Sequence, residues 1–237
     1  GKGITFDSGG LSIKPAEHME TMKADMAGAA TILGLFSIID KLSLNVAVHG
    51  VIAACENMPS GGAYRPGDVL TAKNGKTIEI LNTDAEGRVT LADTLSYAAE
   101  HKPAAIIDLA TLTGACIVAL GETVAGLWSN NDTLKNNLLV AGRAVGENIE
   151  DLPMPEEYAG LIKSSIADLR NTSSSRYGGA ITAAMFLREF VGQIPWAHID
   201  IAGPSYMDQS RIPYWNKGAT GWGVRTLAEF LKKTSAP

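Results

Sequence analysis

The chain has 237 residues, which is long enough for one sizeable domain with a buried core. Hydrophobic residues make up 46% and charged residues 19%, a composition that excludes a disordered chain. Acidic residues outnumber basic ones 25 to 20, so the formal charge of -5 disfavours nucleic acid as a partner. No apolar run reaches the roughly 18 residues of a membrane span, and the start of the chain lacks a signal-peptide layout. We therefore expect a cytoplasmic protein without a membrane contact.

Strand-like and helix-like segments alternate along the chain. Apolar, β-branched-rich runs predict strands at 44–54, 78–81, 104–109 and 197–201. Apolar residues at helical spacing predict helices at 26–39, from about 89 onward, and at 180–191. Glycine, proline and small polar residues predict loops at 59–67, 73–76, 153–155, 171–179 and 203–223, with 171–179 bordering a site. This alternation predicts an α/β fold with a mixed, largely parallel central sheet sandwiched between helices.

The two cysteines, Cys55 and Cys116, lie in apolar stretches without another Cys or a His at zinc-ligand spacing. We predict that both are buried, reduced thiols, and a disulfide is the less favoured alternative. Reduced thiols are typical of a reducing compartment such as the cytoplasm.

Carboxylates and cations cluster among small residues in three segments, 1–15, 22–30 and 82–88. Small neighbours let the backbone approach a ligand closely. In the third segment, NTDAEGR, an extended backbone would project Asp84 and Glu86 to one face, because side chains of a strand alternate. Arg88 would project the same way and place a planar cation beside them, suited to a bound anion. Such oxygen-rich clusters suit hard or borderline divalent metals.

Each charged residue also has a plainer interpretation. Asp25 lies near a predicted helix start, where a carboxylate is favourable without any metal. Lys14 and Arg88 could form salt bridges with the surrounding acids, which does not exclude catalysis. We expect Asp93 to make an ordinary solvent or capping contact. The four histidines lie far apart without an HExxH pattern, which predicts structural or surface roles, and GxSxG does not occur, which disfavours a serine hydrolase.

NTDAEGR is a hallmark of the leucyl aminopeptidases, also called cytosol aminopeptidases, and the chain resembles this family. The resemblance covers essentially the whole chain and includes GKGITFDSGG (1–10), MKADMAGAA (22–30), DLATLTGA (108–115) and HIDIAGP (198–204). It implies a metalloprotease: a hydrolase that uses two metal ions to remove a leucine-like residue from peptides with a free amino terminus.

The resemblance assigns metal ligation to Lys2, Asp7, Asp25, Asp84 and Glu86. Asp7 and Glu86 would contribute to both ions, Lys2 and Asp25 mainly to one, and Asp84 mainly to the other. Lysine ligates only as the neutral amine, and we expect burial beside a dication to lower its pKa. The implied ions are zinc or manganese, with magnesium or cobalt able to replace one of them.

The resemblance also implies catalytic roles for Lys14 and Arg88. Lys14 would stabilise the oxyanion that forms when activated water attacks the peptide carbonyl, and Arg88 would hold a bicarbonate that acts as general base. The pocket for the first side chain is assigned to Met22, Thr111, Gly114 and Ala202, for which plain core packing is the alternative.

Members of this family carry a separate amino-terminal domain and assemble as hexamers. We therefore expect residues 1–237 to be a single catalytic domain that lacks its first strands and helix and is unstable or inactive by itself. The alternative functions are another two-metal hydrolase, an amidase or a phosphatase, and a structural or regulatory role that includes DNA binding. The acidic charge disfavours DNA binding by this region.

Overall fold

The computed structural model describes residues 1–234. The strands of these residues are β1 (Lys2–Asp7), β2 (Ala53–Asn57), β3 (Val69–Thr71), β4 (Thr77–Glu79), β5 (Ile106–Ala110), β6 (Val124–Ser129), β7 (Asn148–Asp151), β8 (Leu169–Arg170), β9 (Trp196–Asp200), β10 (Tyr206–Met207) and β11 (Gly218–Ala219). The α-helices are α1 (Ala16–Met19), α2 (Ala27–Phe36), α3 (Glu86–Glu100), α4 (Gly114–Leu120), α5 (Asp132–Val145), α6 (Gly179–Arg188) and α7 (Val224–Thr234). Short 3-10 helices lie at Met22–Ala24, Ile39–Leu42 and Glu156–Ile162.

The largest sheet of the described residues has four strands in the order β5, β9, β6, β7. Strand β9 runs parallel to β5 and antiparallel to β6, and β6 runs parallel to β7. Strands β1 and β2 form a parallel pair, β3, β4 and β8 form a mixed three-stranded sheet, and β10 pairs with β11 in antiparallel fashion. The predicted mixed, largely parallel arrangement is confirmed, although its hydrogen bonds divide into separate sheets.

Hydrophobic cores cover both faces of the four-stranded sheet. Side chains of a strand alternate between faces, so Trp196 of β9 enters one core while its neighbour Ala197 enters the other. The first core contains Phe186 of α6 and Leu91 of α3, and the second contains residues of α2, α5 and α7. The sheet is therefore sandwiched between helices, which confirms the predicted fold class and explains why β5 and β9 read as nearly continuous apolar runs.

Several predicted boundaries are wrong. The run 44–54 does not form one strand: β2 covers only Ala53–Asn57, the residues that pair with β1, and 44–52 are irregular because no described strand lies beside them. The helix expected from about residue 89 already begins at Glu86. Cys55 and Cys116 are both free thiols as predicted, but only Cys116 is buried, because β2 exposes the side chains around Cys55.

Within residues 1–234, no helix is both long and apolar enough to cross a membrane.

Candidate metal centre

Three carboxylates converge where β1 ends and α3 begins. Asp7 is the last residue of β1, Asp84 lies in the loop after β4, and Glu86 is the first residue of α3. One oxygen from each lies within 4.8 Å of the other two. Asp7 and Glu86 are buried, with 3% and 5% of their surface exposed. The structure thus brings together three of the five predicted metal ligands.

The other two predicted ligands, Lys2 and Asp25, adjoin this cluster. Lys2 is buried at the start of β1, and its Nζ lies 2.9 Å from Oδ1 of Asp25 and 2.8 Å from Oε1 of Glu86. It also donates a hydrogen bond to the backbone oxygen of Thr111 at 2.8 Å. Asp25 follows the 3-10 helix Met22–Ala24, and its Oδ1 accepts a further hydrogen bond from the Thr111 hydroxyl at 2.7 Å.

A glycine in α3 makes room for the buried lysine. A Cβ atom added at Gly87 would lie 2.6 Å from Nζ of Lys2, closer than side chains tolerate. Gly87 is therefore required by packing and not by backbone conformation. This close approach is the steric reason for the glycine between Glu86 and Arg88 in NTDAEGR.

Lys14 bridges the acids on the more open side of the cluster. Its Nζ lies 3.0 Å from Oδ2 of Asp7 and 2.6 Å from Oδ1 of Asp84. The salt bridges considered as the plainer role of Lys14 are thus present. Burial opposes its charge, but the contacts with Asp84 and Asp7 outweigh burial and raise the pKa of Lys14. It remains a cation at neutral pH.

Lys2 and Asp25 form a buried ion pair, and burial and neighbouring charges shift the pKa of each. Burial disfavours the charged form of Lys2, but the carboxylates of Glu86 and Asp25 outweigh it and raise the pKa of Lys2. Burial and the negative charge of Glu86 raise the pKa of Asp25 to about 7, against the opposing effect of Lys2. Burial likewise raises the pKa of Asp84. The neutral amine expected of Lys2 is therefore not produced by the chain's own groups, and it requires an added cation.

The donor set fits divalent cations. Among the described residues, Oδ2 of Asp25 and Oε2 of Glu86 are buried and have no hydrogen-bond partner. Buried carboxylate oxygens are rarely left without a partner, because their desolvation is costly. Carboxylate oxygens are the ligands that hard cations prefer. Glu86 belongs to the group of three carboxylates and Asp25 adjoins it, so both unpartnered oxygens are available to a cation there.

Arg88 is the third residue of α3, so its side chain does not have the direction that an extended backbone would give it. Residues 86–88 are helical, so the alternation of an extended strand does not orient Arg88 with Asp84 and Glu86, and that prediction is wrong. Arg88 is buried, and its Nε has no hydrogen-bond partner among the described residues. Burial lowers the pKa of Arg88 to about 10, opposed by the charges of Glu86 and Asp200, so the guanidinium is still positive at neutral pH.

Asn57 is a site residue that sequence reasoning missed. It is buried, and its Nδ2 donates to Oδ1 of Asp7 at 2.8 Å and to the backbone oxygen of Thr83 at 2.9 Å. Asn57 ends β2 directly opposite Asp7 in the parallel register. Because parallel strands end at one edge of a sheet, a polar residue at the end of β2 was the available signal.

Asn171 and Tyr64 also hold the loop that carries Asp84. The Asn171 side chain accepts from the Leu81 amide at 2.9 Å and donates to the Asn82 oxygen at 2.6 Å. The Tyr64 hydroxyl donates to the Thr83 oxygen at 2.8 Å. The first residue of the segment 171–179, which is predicted to border a site, thus contacts the loop that carries Asp84.

The predicted substrate pocket is only partly assembled around the acids. Thr111 contacts both Lys2 and Asp25, and Met22 precedes Asp25 by one turn. Gly114 is the first residue of α4 and has open space beside it, and Ala202 follows β9 in a half-buried turn. A cavity of about 250 Å³ lies near this region but is lined by other residues, including Ala24, Met26, Ser205, Tyr206, Ala219 and Trp222. The four-residue pocket stays a prediction.

Asp93 and His198 make the ordinary structural contacts that the sequence predicts. Asp93 is exposed and accepts a hydrogen bond from the Lys73 amide at 2.7 Å. His198, the buried histidine, pairs with Asp108 and stacks near Trp128 and Trp196, a structural role.

The chain is similar to known proteins over nearly its whole length. Residues 1–228 match the family described as "Cytosol aminopeptidase family, catalytic domain". The protein named "Probable cytosol aminopeptidase" of Aquifex aeolicus (strain VF5) is 57% identical over 238 residues, which are 100% of this chain and 48% of that protein. The protein of the same name from Gloeobacter violaceus (strain ATCC 29082 / PCC 7421) is 56% identical over 98% of this chain and 45% of its own length.

A solved structure described as "Bottromycin maturation enzyme BotP in complex with Mn" superposes with a TM-score of 0.96 at 43% identity, covering 100% of this chain and 52% of that one. The fold and the acidic cluster define an α/β protein with a carboxylate-lined centre suited to divalent metals. The chain belongs to the cytosol aminopeptidase family, of which it matches the catalytic domain. It spans about half the length of the curated relatives it matches.

Proposed function

We propose that the complete protein containing this chain is a metal-dependent aminopeptidase. The observation that carries this proposal is the convergence of Asp7, Asp84 and Glu86 within 4.8 Å, with Lys14 ion-paired to two of them. Membership of the cytosol aminopeptidase family supports the same function. The proposed reaction is hydrolysis of the first peptide bond, with release of the amino-terminal residue.

The proposed ligands of two divalent ions are Lys2, Asp7, Asp25, Asp84 and Glu86. Bound ions would supply Lewis acidity, which polarises a carbonyl and lowers the pKa of water. Manganese is supported by the similar structure of BotP in complex with Mn. Zinc is the alternative, and magnesium or cobalt could replace one of the two ions. Lys2 would exchange its contacts with Asp25 and Glu86 for ligation as the neutral amine.

Lys14 is the proposed oxyanion stabiliser. Its raised pKa keeps a positive charge at neutral pH, and only 14% of its side chain is exposed, so solvent screens it weakly. A cation fixed in advance where negative charge develops lowers the barrier without reorganisation at the moment of reaction. The contacts with Asp7 and Asp84 fix its position.

Arg88 is the proposed holder of a bicarbonate anion that accepts the proton of the attacking water. Its buried guanidinium has an unpartnered Nε, which leaves a donor for a planar anion. Asp200 and Glu86 are the charges that favour its cationic form.

The proposed substrates are peptides with a free amino terminus and a leucine-like first residue, whose side chain would enter a pocket formed by Met22, Thr111, Gly114 and Ala202. The family resemblance further supports a cytoplasmic homo-hexamer. It also supports residues 1–237 as the catalytic domain of a longer chain that carries an additional amino-terminal domain.

Hydrolysis of leucyl p-nitroanilide by the complete protein tests the function. We expect cleavage that chelation abolishes and that manganese or zinc restores, and no cleavage by the Asp84→Ala and Glu86→Ala variants. The Asp151→Ala variant is the matched control, because Asp151 is a half-exposed partner of Lys135 outside the cluster.

Acetylation of the substrate amine separates the alternatives. Cleavage that persists after acetylation would indicate an amidase, and metal-dependent release of phosphate from p-nitrophenyl phosphate without peptide cleavage would indicate a phosphatase. Either result contradicts the aminopeptidase proposal.

A further inference from the structure

Asp200 is a fully buried carboxylate to which the proposed chemistry gives no role beyond favouring the positive charge of Arg88. It is the last residue of β9, where it is paired in register with Ala110 of β5 and Gly126 of β6. Burial raises the pKa of its carboxyl group, because the environment disfavours the charged form. A carboxylate at such a position is costly unless each oxygen has partners.

The partners of Asp200 come from two different loops. Its Oδ1 accepts from the Leu112 amide and from the Ala202 amide, both at 3.1 Å. Its Oδ2 accepts from the Thr113 hydroxyl at 2.8 Å. Leu112 and Thr113 lie in the loop between β5 and α4, and Ala202 lies in the turn after β9. One carboxylate therefore joins these two segments.

These loops carry most of the predicted substrate pocket. Thr111 precedes the first partner of Asp200, Gly114 follows Thr113, and Ala202 is itself a partner. Thr113 also caps α4, since its hydroxyl accepts from the Cys116 amide at 3.0 Å. The direction of α4 and the position of the turn after β9 thus depend on the same side chain.

The same loop reaches the acidic cluster. The Thr111 hydroxyl donates to Asp25 at 2.7 Å, and the Thr111 oxygen accepts from Lys2 at 2.8 Å. Packing alone is a weak explanation for Asp200, because an apolar residue of similar volume would fill the position without the desolvation of a charge. A carboxylate with acceptors aimed at both loops fixes their separation in a way that apolar packing does not.

We propose that Asp200 is a positioning residue that sets the pocket for the first side chain of the substrate by holding the 111–114 loop against the turn at Ala202. The inference rests on the proposed aminopeptidase function. Asp200 does not touch the reacting atoms, and it acts through Leu112, Thr113 and Ala202.

Four variants of the complete, manganese-loaded protein test this role: Asp200→Ala, Asp200→Asn, Thr113→Val and Thr226→Val. Thr113 and Thr226 are a matched pair, because each is a buried threonine whose hydroxyl donates to a buried carboxylate. Thr226 donates to Glu147 at 2.6 Å, and neither residue belongs to the proposed pocket or to the partners of Asp200. The measurements are kcat and KM for leucyl and alanyl p-nitroanilides, and hydrogen exchange at the Leu112 and Ala202 amides.

We expect Asp200→Ala and Thr113→Val to raise KM for the leucyl substrate about tenfold or more, with a smaller effect on kcat and on the alanyl substrate. The amides of Leu112 and Ala202 should lose protection in Asp200→Ala. Asp200→Asn should restore much of both, because the Asn oxygen still accepts from the two amides. Thr226→Val should lower stability without a change in KM.

An unchanged leucyl KM in Asp200→Ala, or an equal rise in Thr226→Val and Thr113→Val, would overturn the positioning role. So would an equal loss for leucyl and alanyl substrates, because that pattern indicates damage to the shared chemistry. Failure of the unmutated protein to cleave either substrate would instead contradict the proposed function itself.

Discussion

Nζ of Lys2 lies 2.8 Å from Oε1 of Glu86, and both groups are buried. The same nitrogen lies 2.9 Å from Asp25, so one ammonium group compensates the buried charges of Asp25 and Glu86, while Lys14 pairs with Asp7 and Asp84. Lys2 therefore stabilises the cluster in the absence of other cations, and the proposed binding of divalent ions has to displace its proton.

The position of Lys2 depends on Gly87. We predict that Gly87→Ala moves Lys2 away from Asp25 and Glu86, since the new Cβ would lie 2.6 Å from Nζ. Displacement of a proposed ligand should weaken metal affinity about tenfold or more. Titration of the complete protein with manganese measures this, and Gly160→Ala is the control, because a Cβ there meets no atom within 4 Å. Equal affinities of the two variants would contradict the steric role.

Lys14 should affect turnover more than binding. We predict that Lys14→Ala lowers kcat by about 10²–10³ with a smaller change in KM, because a charge placed for the oxyanion acts mainly in the transition state. Steady-state kinetics on leucyl p-nitroanilide at saturating manganese measures the split. Lys135→Ala removes a lysine that also contacts two acids, Asp132 and Asp151, outside the site. It should leave kcat unchanged, and a loss there equal to that of Lys14→Ala would argue for a general charge effect.

Asn57 should matter for stability as well as for the site. We predict that Asn57→Ala lowers the free energy of unfolding by about 1–3 kcal/mol, because Asp7 and the Thr83 oxygen both lose a buried donor. Asn57→Asp should be worse, since it places a second carboxylate against Asp7. Urea unfolding of the complete protein checks both. Asn137→Ala, at an exposed position of α5, is the control and should change stability little.

The pair of His198 and Asp108 gives a pH-dependent contribution to stability. Nδ1 of His198 lies 2.7 Å from Asp108, and although burial opposes the charge, Asp108 outweighs it and raises the pKa of His198. A raised pKa in the folded state stabilises the fold fully below the unfolded value of 6.5, and this stabilisation is lost as the pH rises through the folded pKa.

We therefore predict that His198→Asn destabilises the protein more at about pH 5.5 than at about pH 8.5. Thermal or urea unfolding at the two pH values measures the difference. In an Asp108→Asn background the pH dependence of the substitution should shrink, because the partner charge is gone. A penalty that grows with pH would show that His198 is held in its neutral form.

The sequence predicts the position of a helix or strand well where the pattern of that segment alone determines it. The helix of 180–191 was found within a few residues as α6, since Ala, Met, Phe and Leu repeat at helical spacing. The predicted strands 104–109 and 197–201 nearly coincide with β5 and β9, because these strands are largely buried and consist mostly of apolar residues. The bounds of β2 depend on its pairing with β1, which the sequence does not show, and the predicted strand 44–54 is therefore wrong.

Side-chain directions within the site needed the tertiary structure. An extended backbone predicts that Asp84, Glu86 and Arg88 project to one face, but Glu86 already begins α3, and helical geometry rotates Arg88 away from that alignment. The hydrogen-bond partners of Asn57 and Asn171 also needed the tertiary structure, because each side chain bonds to a segment far away in sequence. The sequence places Asn171 in a loop predicted to border a site, but it does not show which segment either asparagine contacts.

The sequence by itself determined the fold class and the set of charged residues that meet in the cluster, because apolar periodicity and the NTDAEGR and GKGITFDSGG segments are local features. The tertiary structure alone decided how Lys2 is paired, which carboxylate oxygens are left without partners, and that Asp200 joins two loops. Those properties depend on distances between segments up to about a hundred residues apart, such as the 109-residue separation of Lys2 and Thr111. Only packing around a common core fixes such distances.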